Sequence, residues 1–253
     1  MAPWTPHVPL PVESTWDTFI AGSRGTRVSE HPDSSDILEN ADYLFTSEQV
    51  VVELKEIESS LNSSTRFVKD FDALMRRVVA ENPDWRPRLF GGTEAYPAWF
   101  YPEYVRLFRP PISRILKKAN RQIRSTKIQL GIQANCGILI LVNDGFTMLP
   151  PDWVRALAAG LLVHSYSSID CLIYSTLNRY VEVRGSDLAH LLWAPTYSDK
   201  APDELQMFVN DLGRRWFDFI EGLVGTFDGR IETPDDKMLE GSRAILHSIP
   251  RAG

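Results

Sequence analysis

The chain has 253 residues, of which 43% are hydrophobic, 11% aromatic and 24% charged, the composition of a folded globular protein, so disorder of the whole chain is excluded. Its longest apolar runs, Gly137–Val142 and Ala156–Val163, fall far short of the roughly 18 residues that a membrane span needs. The net charge of −6 excludes a protein that coats nucleic acid with its whole surface, but it hides an asymmetry: Val105 to Lys127 holds eight basic residues and no acidic one, leaving −14 for the rest.

The proline-rich start, with Pro3, Pro6, Pro9 and Pro11, has neither the basic nor the apolar region of a secretory signal, so a cytoplasmic protein is expected. Glu13–Ile20 has helical composition, with Ser14 and Asp17 at the spacing of a capping box. Ala21–Asp36 is polar, without periodicity, and reads as a loop. Ala41–Phe45 and Gln49–Ile57 are strand-like runs separated by Thr46, Ser47 and Glu48, a length that predicts a tight hairpin.

Phe67, Phe71, Leu74, Met75 and Val78 recur near a 3.6-residue period and predict a helix over Phe67–Ala80. From Pro83 to Pro111 there are six prolines and a dense set of aromatics, which reads as a stiffened insertion. Ile112–Lys127 is predicted to be an amphipathic helix, with Ile112, Leu116, Ala119 and Ile123 on one stripe and basic residues opposite. Gly137–Val142 reads as a central strand buried on both faces.

Asn143-Asp144-Gly145 is a turn, Pro150-Pro151-Asp152 opens a helix continuing through Trp153–His164, and Ile169–Thr176 and Tyr180–Val183 read as a pair of strands. Asp203–Val224 is a long helix whose Phe208, Leu212, Trp216, Phe219 and Leu223 are expected to pack on the sheet, and the tail beyond is irregular. The fold class is therefore α/β, a mixed central sheet flanked by helices, in a single domain over residues 1–253. Its core spans about 12–184, with an insertion at about 83–111 and a C-terminal helical extension at about 200–253.

The segment with most chemical content is Ala41-Asp42, the turn, and then Val50-Val51-Val52-Glu53-Leu54-Lys55. The two-residue repeat of a strand puts Glu53 and Lys55 on one face, and the hairpin brings Asp42 to the same end of the sheet. Two carboxylates there could share a divalent cation, Mg²⁺ or Mn²⁺, with the Leu54 carbonyl as a further ligand. Such a cation lowers the pKa of a bound water, and Lys55 would orient that water or neutralise charge on a phosphate.

These residues resemble the PD-(D/E)xK nuclease superfamily, the restriction-endonuclease-like fold. Asp42 stands for the first acid, preceded by Ala41 instead of proline, and Glu53-Leu54-Lys55 for the acid-x-lysine element. The later helix Ile112–Lys127 and strand Gly137–Val142 extend the likeness over about two thirds of the chain. The resemblance implies a metal-dependent endonuclease acting on nucleic acid, DNA in preference to RNA, in a defence or repair setting. It further implies an extra acid on the first helix, for which Glu13 is the candidate and Glu39 the runner-up, and a polar residue on the later helix, Gln122. A homodimer is expected, and an activating protein partner fits the same class.

Arg114, Lys117, Lys118, Arg121 and Arg124 are the candidate phosphate contacts, and the aromatic insertion is expected to pack on its own domain. The alternatives are a solvated hairpin with Glu53 and Lys55 as a plain charge pair, and an inactive nuclease fold that binds nucleic acid or protein. The five histidines lack metal-ligand spacing, Cys136 and Cys171 read as inert core thiols, and phosphate-binding and nucleophile-elbow glycine motifs are missing.

Overall fold

The computed structural model describes residues 7–31, 40–57, 64–85, 95–131 and 136–245. In chain order the elements are α1 (Val12–Gly22), β1 (Thr26–Arg27), β2 (Tyr43–Phe45), β3 (Val50–Glu56), α2 (Thr65–Glu81), α3 (Phe100–Gln129), β4 (Cys136–Val142), α4 (Pro151–Ser165), β5 (Cys171–Ser175), β6 (Tyr180–Glu182), β7 (Ala189–His190), β8 (Trp193–Tyr197), α5 (Asp203–Val224) and β9 (Arg243–Ile245). The protein is mixed α/β. Among the described residues no helix is long and apolar enough to cross a membrane.

The predicted hairpin is β2 and β3, closed by a turn over Thr46–Gln49 in which Gln49 takes φ +55°. It sits inside a six-stranded sheet ordered β1-β2-β3-β4-β5-β8. The pairs β3–β4 and β4–β5 are parallel and the other three antiparallel. Both parallel steps move the same way across the sheet, and right-handed crossovers then put their connecting helices on one face. Accordingly α3 and α4 share a core with Val51, Leu139, Leu141 and Leu172, while α1 and α5 cover the other face over Val50, Val52, Ile138, Ile140 and Ile173. On that second face Trp16 and Trp216 stack with ring centroids 3.9 Å apart.

β4 is buried on both faces, as its unbroken apolar run requires. Its start is pressed against the α4–β5 loop, where a Cβ on Gly137 would stand 2.0 Å from the Ser168 carbonyl oxygen. At the other end of β4 the Asn143-Asp144-Gly145 turn becomes a polar clasp. Asp144 accepts from the Leu177 and Asn178 amides and the Asn178 side chain, and buried Arg179 donates to the Phe146 and Asp144 carbonyls.

Several boundaries depart from the sequence pattern. The proline-rich insertion does not last to Pro111: α3 begins at Phe100 and carries Pro110 and Pro111 inside it. Two helix hydrogen bonds are lost there, and packing of Phe100, Tyr104 and Phe108 against α2 and its neighbours offsets the loss. Thr26–Arg27, in the presumed loop, is the edge strand β1, followed by a short 3-10 turn, Val28–Glu30. Tyr180–Val183 does not pair with β5: β6 belongs to a separate sheet ordered β7-β6-β9, and β5 pairs with β8. The main sheet therefore runs to Tyr197, and the C-terminal extension is helical only to Val224, with a 3-10 turn and β9 beyond. Leu223 does not pack on the sheet and is half exposed.

Candidate functional site

Asp42 precedes β2 at the point where that strand leaves β3. Extending the register Tyr43↔Val52 by one pair sets Asp42 across from Glu53, on the face that α3 covers. The next inward-facing pair would be Ala41 with Leu54, but it does not form. The Ala41 amide donates instead to Thr126 Oγ1 on α3, 2.8 Å away, and Gln122 Nε2 donates to the Asn40 carbonyl at 2.8 Å. The Leu54 amide, released from the ladder, donates to Asp42 Oδ2 at 2.8 Å. The Leu54 carbonyl thereby loses Ala41 as its ladder donor. A helix thus pries two strands apart where both acids stand.

Glu53 is fully buried, so the hairpin end is not a solvated charge pair. Lys55, with 20% of its side chain exposed, forms an ion pair with Glu53 Oε1, while Oε2 is buried with no hydrogen-bond partner among the described residues. Burial, and next the negative charge of Asp42, push the Glu53 carboxyl up to about 8. Lys55 and Lys118 oppose that shift. Burial also raises Asp42, against the pull of the Leu54 amide and Lys55.

In front of Asp42 lies a cleft of about 400 Å³, lined by Glu13, Asp17, Arg27, Asp42, Tyr43, Leu54 and Glu56 among others. Glu13 is in the first turn of α1, not outside the helix, because Pro11 takes the N-cap position and no side chain caps it. The spacing of Ser14 and Asp17 is therefore not a capping box: Asp17 is instead held by the Arg27 guanidinium and by the Tyr43 hydroxyl at 3.0 Å. Glu13 is 84% exposed at the cleft mouth. Gln122, like Glu53 and Lys55, does not line the cleft; it grips the Asn40 backbone, and its Oε1 is buried without a hydrogen-bond partner among the described residues. Glu39 lies outside the described residues.

Arg114, Lys117, Lys118, Arg121 and Arg124 are all exposed on α3, opposite its buried stripe. With 3.6 residues per turn, Lys118, Gln122 and Thr126 follow one another along the flank next to Asp42, and Arg114 and Arg121 stand just outside them. Lys117 and Arg124 lie further round. Lys127 has turned to Asp170, 3.2 Å away, and takes no part in this face.

Among the described residues no group of three or more His, Cys, Asp and Glu side chains converges. A divalent cation such as Mg²⁺ needs fewer, one or two carboxylates with carbonyl, phosphate and water oxygens. Asp42, Glu53 and the Leu54 carbonyl supply such a set, and the unpartnered, buried Glu53 Oε2 is the observation that fits it to a cation. Sequence reasoning missed Thr126, Asn40, Asp17 and Arg27. The i, i+4, i+8 run Lys118-Gln122-Thr126 was a readable signal for the first.

Thr126→Val should lower stability by about 1–3 kcal/mol by stranding the buried Ala41 amide. Thr126→Ser, which keeps the hydroxyl, should restore it. Thermal melts check this, and an unaltered melting temperature in the valine variant would refute the role of the clamp.

No protein-family model matches the chain, and no curated protein or solved structure is found to be similar to it.

Proposed function

We propose that the protein is a divalent-metal-dependent nuclease with a restriction-endonuclease-like core, hydrolysing phosphodiester bonds in DNA in preference to RNA. The observation that carries this is the pair Asp42 and Glu53, set face to face where β2 leaves β3, with Lys55 against a buried carboxylate that has one oxygen unpartnered. The element order is in keeping with it: the hairpin β2–β3 is followed, after α2, by the helix α3 and by β4 parallel to β3, the later helix and strand over which the resemblance extends.

Asp42, Glu53 and the Leu54 carbonyl would hold Mg²⁺ or Mn²⁺, which when bound lowers the pKa of a water and offsets charge on a phosphate. Asp42 keeps its place through the Leu54 amide, and Gln122 and Thr126 fix the two residues before it, Asn40 and Ala41. Lys55, only 20% exposed, would offset the charge that develops on the phosphate and would orient an attacking water. Glu13 would add negative charge at the mouth of the cleft. Lys118, Arg114 and Arg121 would hold flanking phosphates, a salt-sensitive contribution that carries no sequence information.

One observation favours a second reading, an inactive nuclease fold used as a binding module: the Lys55 ammonium already occupies Glu53 Oε1. Calorimetric titration with Mn²⁺ of the wild type and of Asp42→Ala/Glu53→Ala, followed by incubation with plasmid and single-stranded DNA, separates the two. The nuclease reading expects metal binding and cleavage in the wild type and loss of both in the variant. A wild type that binds no Mn²⁺, with or without DNA, overturns it in favour of the binding module.

A further inference from the structure

We propose that Arg27 binds a phosphate of the nucleic acid on the side of the acidic centre away from α3, an inference that rests on the nuclease reading above. Arg27 lies on β1 opposite Tyr43, so its side chain projects on the α1 face of the sheet, whereas Asp42, Glu53 and Lys55 face α3. It reaches the same cleft as Asp42, and among the described residues lining that cleft it is the only cation, beside four acids, Glu13, Asp17, Asp42 and Glu56.

The guanidinium is held in place rather than free to swing. Its Nε donates to Asp17 Oδ1 at 2.8 Å, one Nη donates to Asp17 Oδ2, and the Tyr43 hydroxyl holds Asp17 from the other side. Glu13 is more distant, 3.9 Å from the same Nη. The other Nη has no hydrogen-bond partner among the described residues, and 42% of the side chain is exposed. A planar fork fixed along one edge and open along the other can take a phosphate without reorganising.

The placement explains how an acidic cleft could admit a polyanion. The exposed cations of α3 stand on one face of the sheet, and the opposite face offers only Arg27 at the cleft. A strand crossing the end of the sheet would meet α3 with the phosphates on one side of the acidic centre and Arg27 with one on the other. Arg27 is thus a substrate-positioning group that completes a path begun by Lys118, Arg114 and Arg121.

The test is fluorescence anisotropy of a labelled DNA duplex with full-length wild type, Arg27→Gln and Arg27→Lys, in Ca²⁺ to slow hydrolysis, over a series of salt concentrations. Arg27→Gln should bind about tenfold more weakly, and the slope of log affinity against log salt should fall by about one. Arg27→Lys keeps a cation on Asp17 and so the tie between α1 and β1, checked by melting; it should still bind several-fold more weakly, because a point charge cannot serve both partners. Mn²⁺ affinity should be unchanged in both variants. If Arg27→Gln binds DNA within twofold of the wild type with an unaltered salt slope, or if Arg27→Lys binds like the wild type, Arg27 only ties α1 to β1 and the inference is overturned. A wild type that binds neither Mn²⁺ nor DNA overturns the nuclease reading beneath it, an outcome distinct from either variant result.

Discussion

On the proposed nuclease reading, Lys55→Ala should slow DNA cleavage by about 10²–10³-fold while leaving Mn²⁺ affinity unchanged or tighter. The Lys55 side chain is four-fifths withdrawn from solvent, with its ammonium against Glu53, a fully buried acid. A charge held at low local dielectric acts on developing phosphate charge far more strongly than a solvated lysine does, which is why the rate should respond. The metal affinity should not fall, because Lys55 competes with any cation for Glu53, and removing it frees an oxygen. If Lys55 were only the counterion of Glu53, its loss would appear as lower stability alone. Single-turnover cleavage of plasmid together with calorimetry decides, and Lys55→Met, which retains most of the apolar stem, guards against a packing artefact. Cleavage within threefold of the wild type in both variants would remove Lys55 from the chemistry.

The hairpin was legible because its signals are local. Three valines followed by Glu-Leu-Lys, after a short polar turn, set both the strand period and the side on which the charges fall, and the register Tyr43↔Val52, Leu44↔Val51 follows from the turn length. The long helix α5 was legible for the same reason, with Pro202 before its first turn and Gly225, at φ +97°, after its last. What lay beyond local reach were partners distant in sequence. β8 has Pro195 at its middle and is half-buried throughout, so it shows no alternation; it is a strand because β5 offers it an edge. β1 is two residues long and owes its place to β2.

The same division runs through the candidate site. Asp42, Glu53 and Lys55 declare themselves by residue type and spacing, whereas the features that give them a chemical character are tertiary. Thr126 is 85 residues from Ala41, yet its hydroxyl takes the amide that would have closed the ladder. Arg27 sits in a polar stretch with nothing to distinguish it from other surface arginines until Asp17 and Tyr43 fix its orientation. α3 was legible as a basic amphipathic helix but not in its full length, since Pro110 and Pro111 read as breakers. The aromatic packing of Phe100, Tyr104 and Phe108 overrides that local preference.

Glu53→Gln should make the metal-free protein more stable at pH 8 and flatten its stability between pH 5 and pH 8. In the folded chain the Glu53 carboxyl is pushed up to about 8, from an ordinary value of 4.5, chiefly by burial. Below pH 4.5 both the folded and the unfolded chain hold the proton, and the group exacts no penalty. As pH rises from there, the unfolded chain releases its proton and the fold does not, so stability falls at a rate on the order of 1 kcal/mol per pH unit until the folded group also ionises near 8. Asp42, also raised, adds a smaller penalty of the same sign, beginning nearer pH 4. Glutamine keeps the shape and cannot ionise, so the variant escapes the Glu53 penalty. Its melting temperature should exceed that of the wild type by roughly 5–10 °C at pH 8 and match it near pH 5. On the nuclease reading saturating Mn²⁺ should reverse the order at pH 8, since a ligand that binds only the folded wild type stabilises it in proportion to the logarithm of its concentration over Kd. Thermal melts of both proteins across this pH range, with Mn²⁺ and with chelator, carry the test. Should Glu53→Gln be the less stable protein at pH 8 without metal, Glu53 would be half of a stabilising ion pair with Lys55, and the site a structural feature of the sheet.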